Sequence, residues 1–215
     1  MKILIGIISY LPKDSNVRKH RLDTLVKLIH RCNYLFRLPI YVVIQNYTSD
    51  DVKLISSIKN VTCSSNYTQL GILNARRELR KYFLDSSYTN LIMLDDDCII
   101  NGNSQDAKNY LEQIENNSDC FIEFNDTLLK LFCISKEIFK DVDYDEINPE
   151  LEEGFEDRVF VSKLRRLYKD KRRVFDKGNL EECSISGKDI YSTWYNTQDI
   201  EKMLKNTEDV LNSMN

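Results

Sequence analysis

Three consecutive aspartates, Asp95, Asp96 and Asp97, close the apolar run Leu91-Ile92-Met93-Leu94. A buried strand of this composition cannot carry unpaired carboxylates into its core, where each charge costs several kcal/mol, on the order of the whole folding free energy. The acids therefore belong where the strand emerges. In an open α/β sheet the carboxyl ends of the strands form the ligand crevice, and side chains two apart on an extended chain share a direction. Asp95 and Asp97 are thus expected to face one pocket. Two converging carboxylates suit a hard divalent cation, Mg²⁺ or Mn²⁺, itself bridging the phosphates of a nucleotide. A polar turn that ends the strand is the competing reading, and the triplet alone does not choose between them.

The elements that would position these acids alternate in the first half of the chain. Short β-rich apolar runs at Lys2–Ser9, Ile40–Gln45, Val61–Cys63 and Asn90–Leu94 are separated by helical patterns at Val17–Cys32, Asp50–Ile58 and Gly71–Leu84. This alternation predicts βαβ units and a mainly parallel sheet flanked by helices. Thr48 or Ser49 is placed to cap the second helix. The second half predicts a polar helix over Ser104–Asn116, strands at Cys120–Phe124 and Leu128–Ile134, and an acidic loop over Asp141–Glu153. A helix over Phe155–Tyr168, a short strand at Arg173–Phe175 and a closing amphipathic helix over Thr197–Met214 follow.

The 215 residues suffice for one sizeable domain. With 42% apolar and 30% charged residues, the composition is that of a soluble globular protein. The net charge of -4 excludes a general affinity for nucleic acid or anionic membrane, so any basic surface is local. No apolar run reaches bilayer length. The opening Met1–Ile8 is followed by Ser9, Tyr10, Pro12 and Lys13 without a small-residue cleavage site, which predicts a first strand in a cytoplasmic protein. Six scattered cysteines form neither a zinc-ribbon spacing nor a disulfide framework.

In order and spacing, Ile8-Ser9-Tyr10, Gln45-Asn46-Tyr47-Thr48-Ser49-Asp50, Gly71-Ile72-Leu73-Asn74-Ala75-Arg76, Leu94-Asp95-Asp96-Asp97 and Glu153-Gly154-Phe155-Glu156-Asp157 carry a resemblance. Together they resemble the GT-A glycosyltransferases, especially the inverting family-two type, over about residues 1 to 165. The resemblance implies a single GT-A domain over 1–215, a Rossmann-like nucleotide-diphospho-sugar transferase fold. Residues 1–100 would bind the nucleotide sugar, and 101–215 would form the acceptor and catalytic half.

The resemblance further implies that Asp97 ligates a divalent cation, Mn²⁺ or Mg²⁺, that holds the diphosphate of the donor. Asp95 would contact the ribose or the metal shell, and Asp96 would point away. Arg76 would face the phosphates or orient Asp95, with Arg77, Arg80 and Lys81 largely in solvent. Ser9 and Tyr10 lie where the family's first loop lines the base and ribose. Where the family carries an acid for the uracil N–H, this chain has Gln45 and Asn46; an amide oxygen still accepts that bond. Asp157, beside Glu156, matches the catalytic base that deprotonates the acceptor hydroxyl. Acids in a first helical turn also simply suit the helix dipole.

The chain departs from the family in lacking a late histidine for the metal, since its only histidines are His20 and His30. Asp176 or water could take that place. The segment Lys163 to Arg173 holds seven basic residues, either a solvated helix face or a surface for an acidic acceptor such as DNA with a hydroxylated base. Trp194, Tyr191 and Tyr195 offer aromatic surface for stacking or packing. The expected activity is therefore metal-dependent transfer of a sugar from a nucleoside diphosphate sugar, with UDP the expected nucleotide, to a glycan or hydroxylated-base acceptor. A sugar-1-phosphate nucleotidyltransferase is the alternative enzyme, although the loop Tyr10-Leu11-Pro12-Lys13-Asp14-Ser15 has no glycine to bring amides against a triphosphate. A non-catalytic nucleotide-sugar-binding protein on the same fold is the third reading.

Overall fold

The computed structural model describes residues 1–11, 15–64, 71–124, 131–144, 156–175 and 182–184. Outside these lie Asp176, the aromatics at 191, 194 and 195, most of the acidic loop and the expected closing helix.

Continuous aliphatic runs form the inner strands because a parallel strand is covered on both faces. β1 (Ile3–Tyr10), β2 (Ile40–Gln45) and β4 (Asn90–Asp95) are buried along almost their whole length. Together with β3 (Val61–Cys63), β6 (Phe121–Phe124), β7 (Phe132–Ser135) and β8 (Arg172–Phe175) they make a seven-stranded sheet in the order β3-β2-β1-β4-β7-β6-β8. β7 alone runs against its neighbours β4 and β6; every other pairing is parallel. β5 (Cys98–Ile100), for which the sequence pattern predicts no strand, pairs antiparallel with β9 (Glu182–Ser184) in a separate ribbon.

Helices cover both faces, as the βαβ pattern demands. α1 (Ser15–Leu35) and α4 (Ser104–Asn116) lay Leu25, Ile29, Tyr110 and Ile114 on one face, against Ile5, Ile7, Val42 and Leu94. α3 (Ile72–Asp85), α5 (Lys136–Asp141) and α6 (Glu156–Leu167) cover the other with Leu79, Phe83, Phe139, Phe160 and Leu164. Gly6 is what lets α3 sit so close to β1: a β-carbon there would lie 2.6 Å from a Leu79 methyl and 2.9 Å from Leu91. α2 (Ser49–Ser56) is capped by Thr48 in a reciprocal box with Asp51, the cap the sequence offered.

The basic segment does not form a solvated face throughout. Glu123 on β6 is fully buried and receives Arg165 Nε and Nη2 at 2.9 and 2.8 Å, together with Arg172 Nη2 at 2.8 Å. α6, β6 and β8 are thereby fastened around one carboxylate. Lys171 pairs with Asp119, and Arg173 donates to Asn117 Oδ1 at 3.2 Å. Four cations that sequence reading offers to an acidic acceptor are therefore bound to the protein's own oxygens. Likewise Arg77 donates to the Tyr144 carbonyl at 3.1 Å, and Arg80 to those of Phe139 and Lys140 at 3.0 and 2.8 Å. These α3 arginines latch onto the end of α5 and the residues beyond it, where carbonyls lack helical partners.

Candidate functional site

Parallel pairing brings the carboxyl ends of β1, β2 and β4 to one edge, with Ile8 opposite Asp95 and Tyr10 opposite Gln45. The loops leaving that edge are tied together. Leu11 N donates to the Gln45 carbonyl at 3.1 Å, and Asn46 Nδ2 donates to the Leu11 carbonyl at 2.6 Å. Asn46 itself takes a left-handed backbone, φ 61°, which asparagine tolerates better than most residues. From α1, Arg18 donates to the Asn46 carbonyl at 2.9 Å and to Asp51 at 2.5 Å. Burial pushes the Asp51 carboxyl up, but the bonds from Thr48 and Arg18 outweigh it and hold its pKa below the ordinary value.

Asp95 and Asp96 turn to opposite faces of the sheet, as neighbouring residues of an extended chain do. β4 ends at Asp95, and Asp96 and Asp97 form the turn that follows it. Asp95 lies on the α3 side of the sheet, where Arg76 Nη2 donates to its Oδ1 at 3.0 Å. Arg76 is among the largest fully enclosed side chains, 2% exposed, whereas the Asp95 side chain keeps 28% of its surface open. A guanidinium buried in this way needs its carboxylate, and it fixes that carboxylate's orientation at the rim.

Asp96 does not point into solvent. It is buried toward α1, accepting from Ser9 Oγ at 2.5 Å, with Arg21 Nη1 at 3.5 Å. Ser9 Oγ lies 2.6 Å from the Tyr47 hydroxyl. Burial raises the Asp96 pKa to about 6, against the opposing pull of Arg21 and the Ser9 bond. The Tyr47 phenol is raised too, first by burial and then by the Asp96 charge. Asp97 is 9% exposed.

Ser9, Tyr10, Asn46, Arg76, Asp95 and Asp97 therefore stand at a single edge. Ser9 is 2% exposed with its hydroxyl already engaged, so as it stands it shapes the acid turn from within rather than presenting a surface. Tyr10 is half-buried, its carbonyl accepting from Arg21 at 3.3 Å. Asp157 and Glu156 open α6, in the layer on the α3 side; Asp157 Oδ1 accepts from the Arg158 N–H at 2.7 Å. Sequence reading passed over Arg18, Arg21, Tyr47 and Asp51. Arginines three apart in the helix that follows β1 were the available signal, since that helix starts from the same edge.

Comparison with known proteins locates this architecture. No protein-family profile matches the chain, and no curated protein matches its sequence. Solved structures do. S. aureus TarS superposes with a TM-score of 0.62 at 15% identity, over 89% of this chain and 38% of that one. The fold is that of the nucleotide-diphospho-sugar transferases. A TarS fragment in complex with UDP gives a TM-score of 0.61 at 14% identity, and this chain spans 63% of its length. A cytidylyltransferase from Leptospira borgpetersenii gives 0.61 at 14% identity, over 99% of this chain and 98% of that one. The glycosyltransferase GlyE of Streptococcus pneumoniae TIGR4 gives 0.50 at 14% identity, over 81% and 45%.

The donor set can be tested against a divalent cation. Among the described residues no group of three or more His, Cys, Asp or Glu side chains converges to hold a metal. Asp95 and Asp97 alone do not make an all-protein cage. They do fit the way Mg²⁺ binds beside nucleotides, through one or two carboxylates, substrate phosphates and water. Among the described residues, no helix is long and apolar enough to cross a membrane.

Proposed function

We propose that this chain is a glycosyltransferase that takes a sugar from a nucleoside diphosphate sugar, with UDP the favoured nucleotide, and passes it to an acceptor hydroxyl. The observation that carries this reading is the Asp95 carboxylate, oriented by the enclosed Arg76 at the rim where β1 and β4 end. Nucleotide ligands sit at that edge in open α/β sheets. The TarS structure with UDP shows that this fold holds a uridine nucleotide in at least one protein.

In this reading Asp97 and Asp95 would hold Mn²⁺ or Mg²⁺ beside the donor, and its charge would stabilise the departing diphosphate. Tyr10 and Asn46 line the base and ribose. The Asn46 amide nitrogen donates to the Leu11 carbonyl, and its oxygen is the group able to accept from a base N–H. Asp157, with Glu156 beside it, takes the acceptor proton as the new bond from acceptor oxygen to anomeric carbon forms. The bond from that carbon to the diphosphate oxygen breaks on the opposite face, so the configuration inverts. A neutral glycan acceptor is favoured over a nucleic acid, because Arg165, Arg172, Lys171 and Arg173 are engaged internally.

A second reading has an observation of its own. The Leptospira cytidylyltransferase matches this chain over nearly the full length of both, which suits a sugar-phosphate nucleotidyltransferase. One experiment separates the two. The protein is incubated with Mn²⁺ and either UDP- and CDP-sugars plus an oligosaccharide panel, or UTP and CTP plus sugar 1-phosphates. Release of nucleoside diphosphate supports the first reading, and release of pyrophosphate from the second mixture replaces it. Asp157→Asn is expected to keep donor binding and lose transfer.

A further inference from the structure

Within the acid triplet, Asp96 is the residue that the motif leaves unassigned, and it is bonded inward to Ser9. Asp96 is 8% exposed, Ser9 2% and Tyr47 5%. They come from three different stretches of chain: the β4–β5 turn, the end of β1, and the residue pair that follows β2. Arg21 of α1 closes the fourth side at 3.5 Å.

The hydrogen inventory orders this cluster. A serine hydroxyl has one proton and two acceptor lone pairs. Ser9 spends its proton on Asp96 Oδ2 at 2.5 Å, so the 2.6 Å contact with Tyr47 is a bond donated by the tyrosine. The chain therefore runs from the Tyr47 O–H to Ser9 and from the Ser9 O–H to Asp96, ending on a carboxylate balanced by a guanidinium. Charge-assisted bonds of this kind are the strong ones, and in a buried setting they resist exchange with water.

We propose that Asp96 is the positioning residue of the site: held by Ser9, Tyr47 and Arg21, it pins the two-residue turn that carries Asp97 and follows directly on Asp95. The inference rests on the reading of Asp97 and Asp95 as cation ligands given above. Asp96 is enclosed by its own protein partners. It acts through the backbone on either side, in the way that outer-shell partners orient metal ligands and cost ~10–100-fold in affinity when removed.

The test compares wild type, Tyr47→Phe, Asp96→Ala and Asp96→Asn in two measurements. The first is the affinity for UDP, and separately for CTP, with and without Mn²⁺. The second is amide hydrogen exchange over residues 95–98, which reports the turn whatever the ligand. Asp96→Ala is expected to lower the Mn²⁺-dependent affinity ~10–100-fold, and Tyr47→Phe by a smaller factor, with both speeding exchange at Asp97 and Cys98 above the rest of the chain. Asp96→Asn keeps an acceptor for Ser9 and is expected to stay within about threefold of wild type, a rescue that a general loss of stability would not give. Unchanged exchange over 95–98 in Asp96→Ala overturns the positioning role. So does faster exchange there with full Mn²⁺-dependent affinity. Wild type that binds neither nucleotide in a Mn²⁺-dependent way overturns the functional reading instead, while the exchange data still decide whether the cluster pins the turn.

Discussion

Replacing Glu123 by alanine removes the carboxylate on which two arginines converge. Its side chain is fully enclosed, and four guanidinium contacts reach it between 2.8 and 3.2 Å. Each ion pair at about 3 Å is worth ~5 kcal/mol at an effective dielectric constant of ~20, and burying the carboxylate gives back several kcal/mol of that. Removing one partner of a buried pair costs ~3–5 kcal/mol. Arg165 and Arg172 keep 36% and 32% of their side-chain surface, so they regain water once released. The expected loss is accordingly about 3 kcal/mol, on the order of a hundredfold in the folding constant and ~1 M in urea midpoint. Arg172→Ala, which leaves the two-bond Arg165 contact in place, is expected to cost about half as much. Replacing the three together, Glu123→Met with Arg165→Leu and Arg172→Leu, is expected to fall within ~1 kcal/mol of wild type, because the desolvation cost disappears with the charges. Urea unfolding followed by far-UV circular dichroism measures all three. A midpoint shift below ~0.3 M for Glu123→Ala would refute the reasoning. So would Arg172→Ala that leaves stability intact while abolishing retention on a polyanion column, since the segment would then be a binding surface.

Gly6→Ala drives a β-carbon into Leu79 and Leu91 and is expected to cost ~1–3 kcal/mol, partly recovered in Gly6→Ala with Leu79→Ala; thermal unfolding of the pair checks it. Because the folded-state pKa of Asp51 lies below its unfolded value, its contribution is present above the unfolded pKa, about 4, and fades as pH falls through the lower folded value. Asp51→Asn should therefore be less stable than wild type at pH 7 and indistinguishable from it at the acid end of a stability–pH curve. Arg76→Lys replaces a fork that orients Asp95 with a single ammonium, and is expected to weaken Mn²⁺-dependent UDP binding by ~10-fold or more. A lysine variant that binds normally removes Arg76 from the site.

The inner sheet was open to sequence reading because β1, β2 and β4 are buried on both sides and spell themselves as unbroken aliphatic runs. The cap at Thr48 was equally local, a side chain within reach of its own helix. β5 and α5 were harder. β5 is a three-residue strand whose partner lies more than eighty residues further on, and α5 has six residues with no room for a periodic pattern. Among the site residues, the edge position of Asp95 followed from its place at the end of an apolar run. The enclosure of Asp96 by Ser9 and Arg21 did not, since those partners come from β1 and α1, far away in sequence.

What the sequence by itself determined is the βαβ order, the burial of its strands and the delivery of three carboxylates to a strand end, all consequences of polarity and spacing along the chain. Only the tertiary structure decided which partner each charge took. Arg76 was spent on Asp95, Arg165 and Arg172 on Glu123, and Ser9 and Tyr47 on Asp96. Ion pairs and hydrogen bonds are short-ranged and join residues far apart in sequence, so charge type alone leaves many pairings open. Packing selects among them by leaving each buried charge only the few partners that the fold brings within reach.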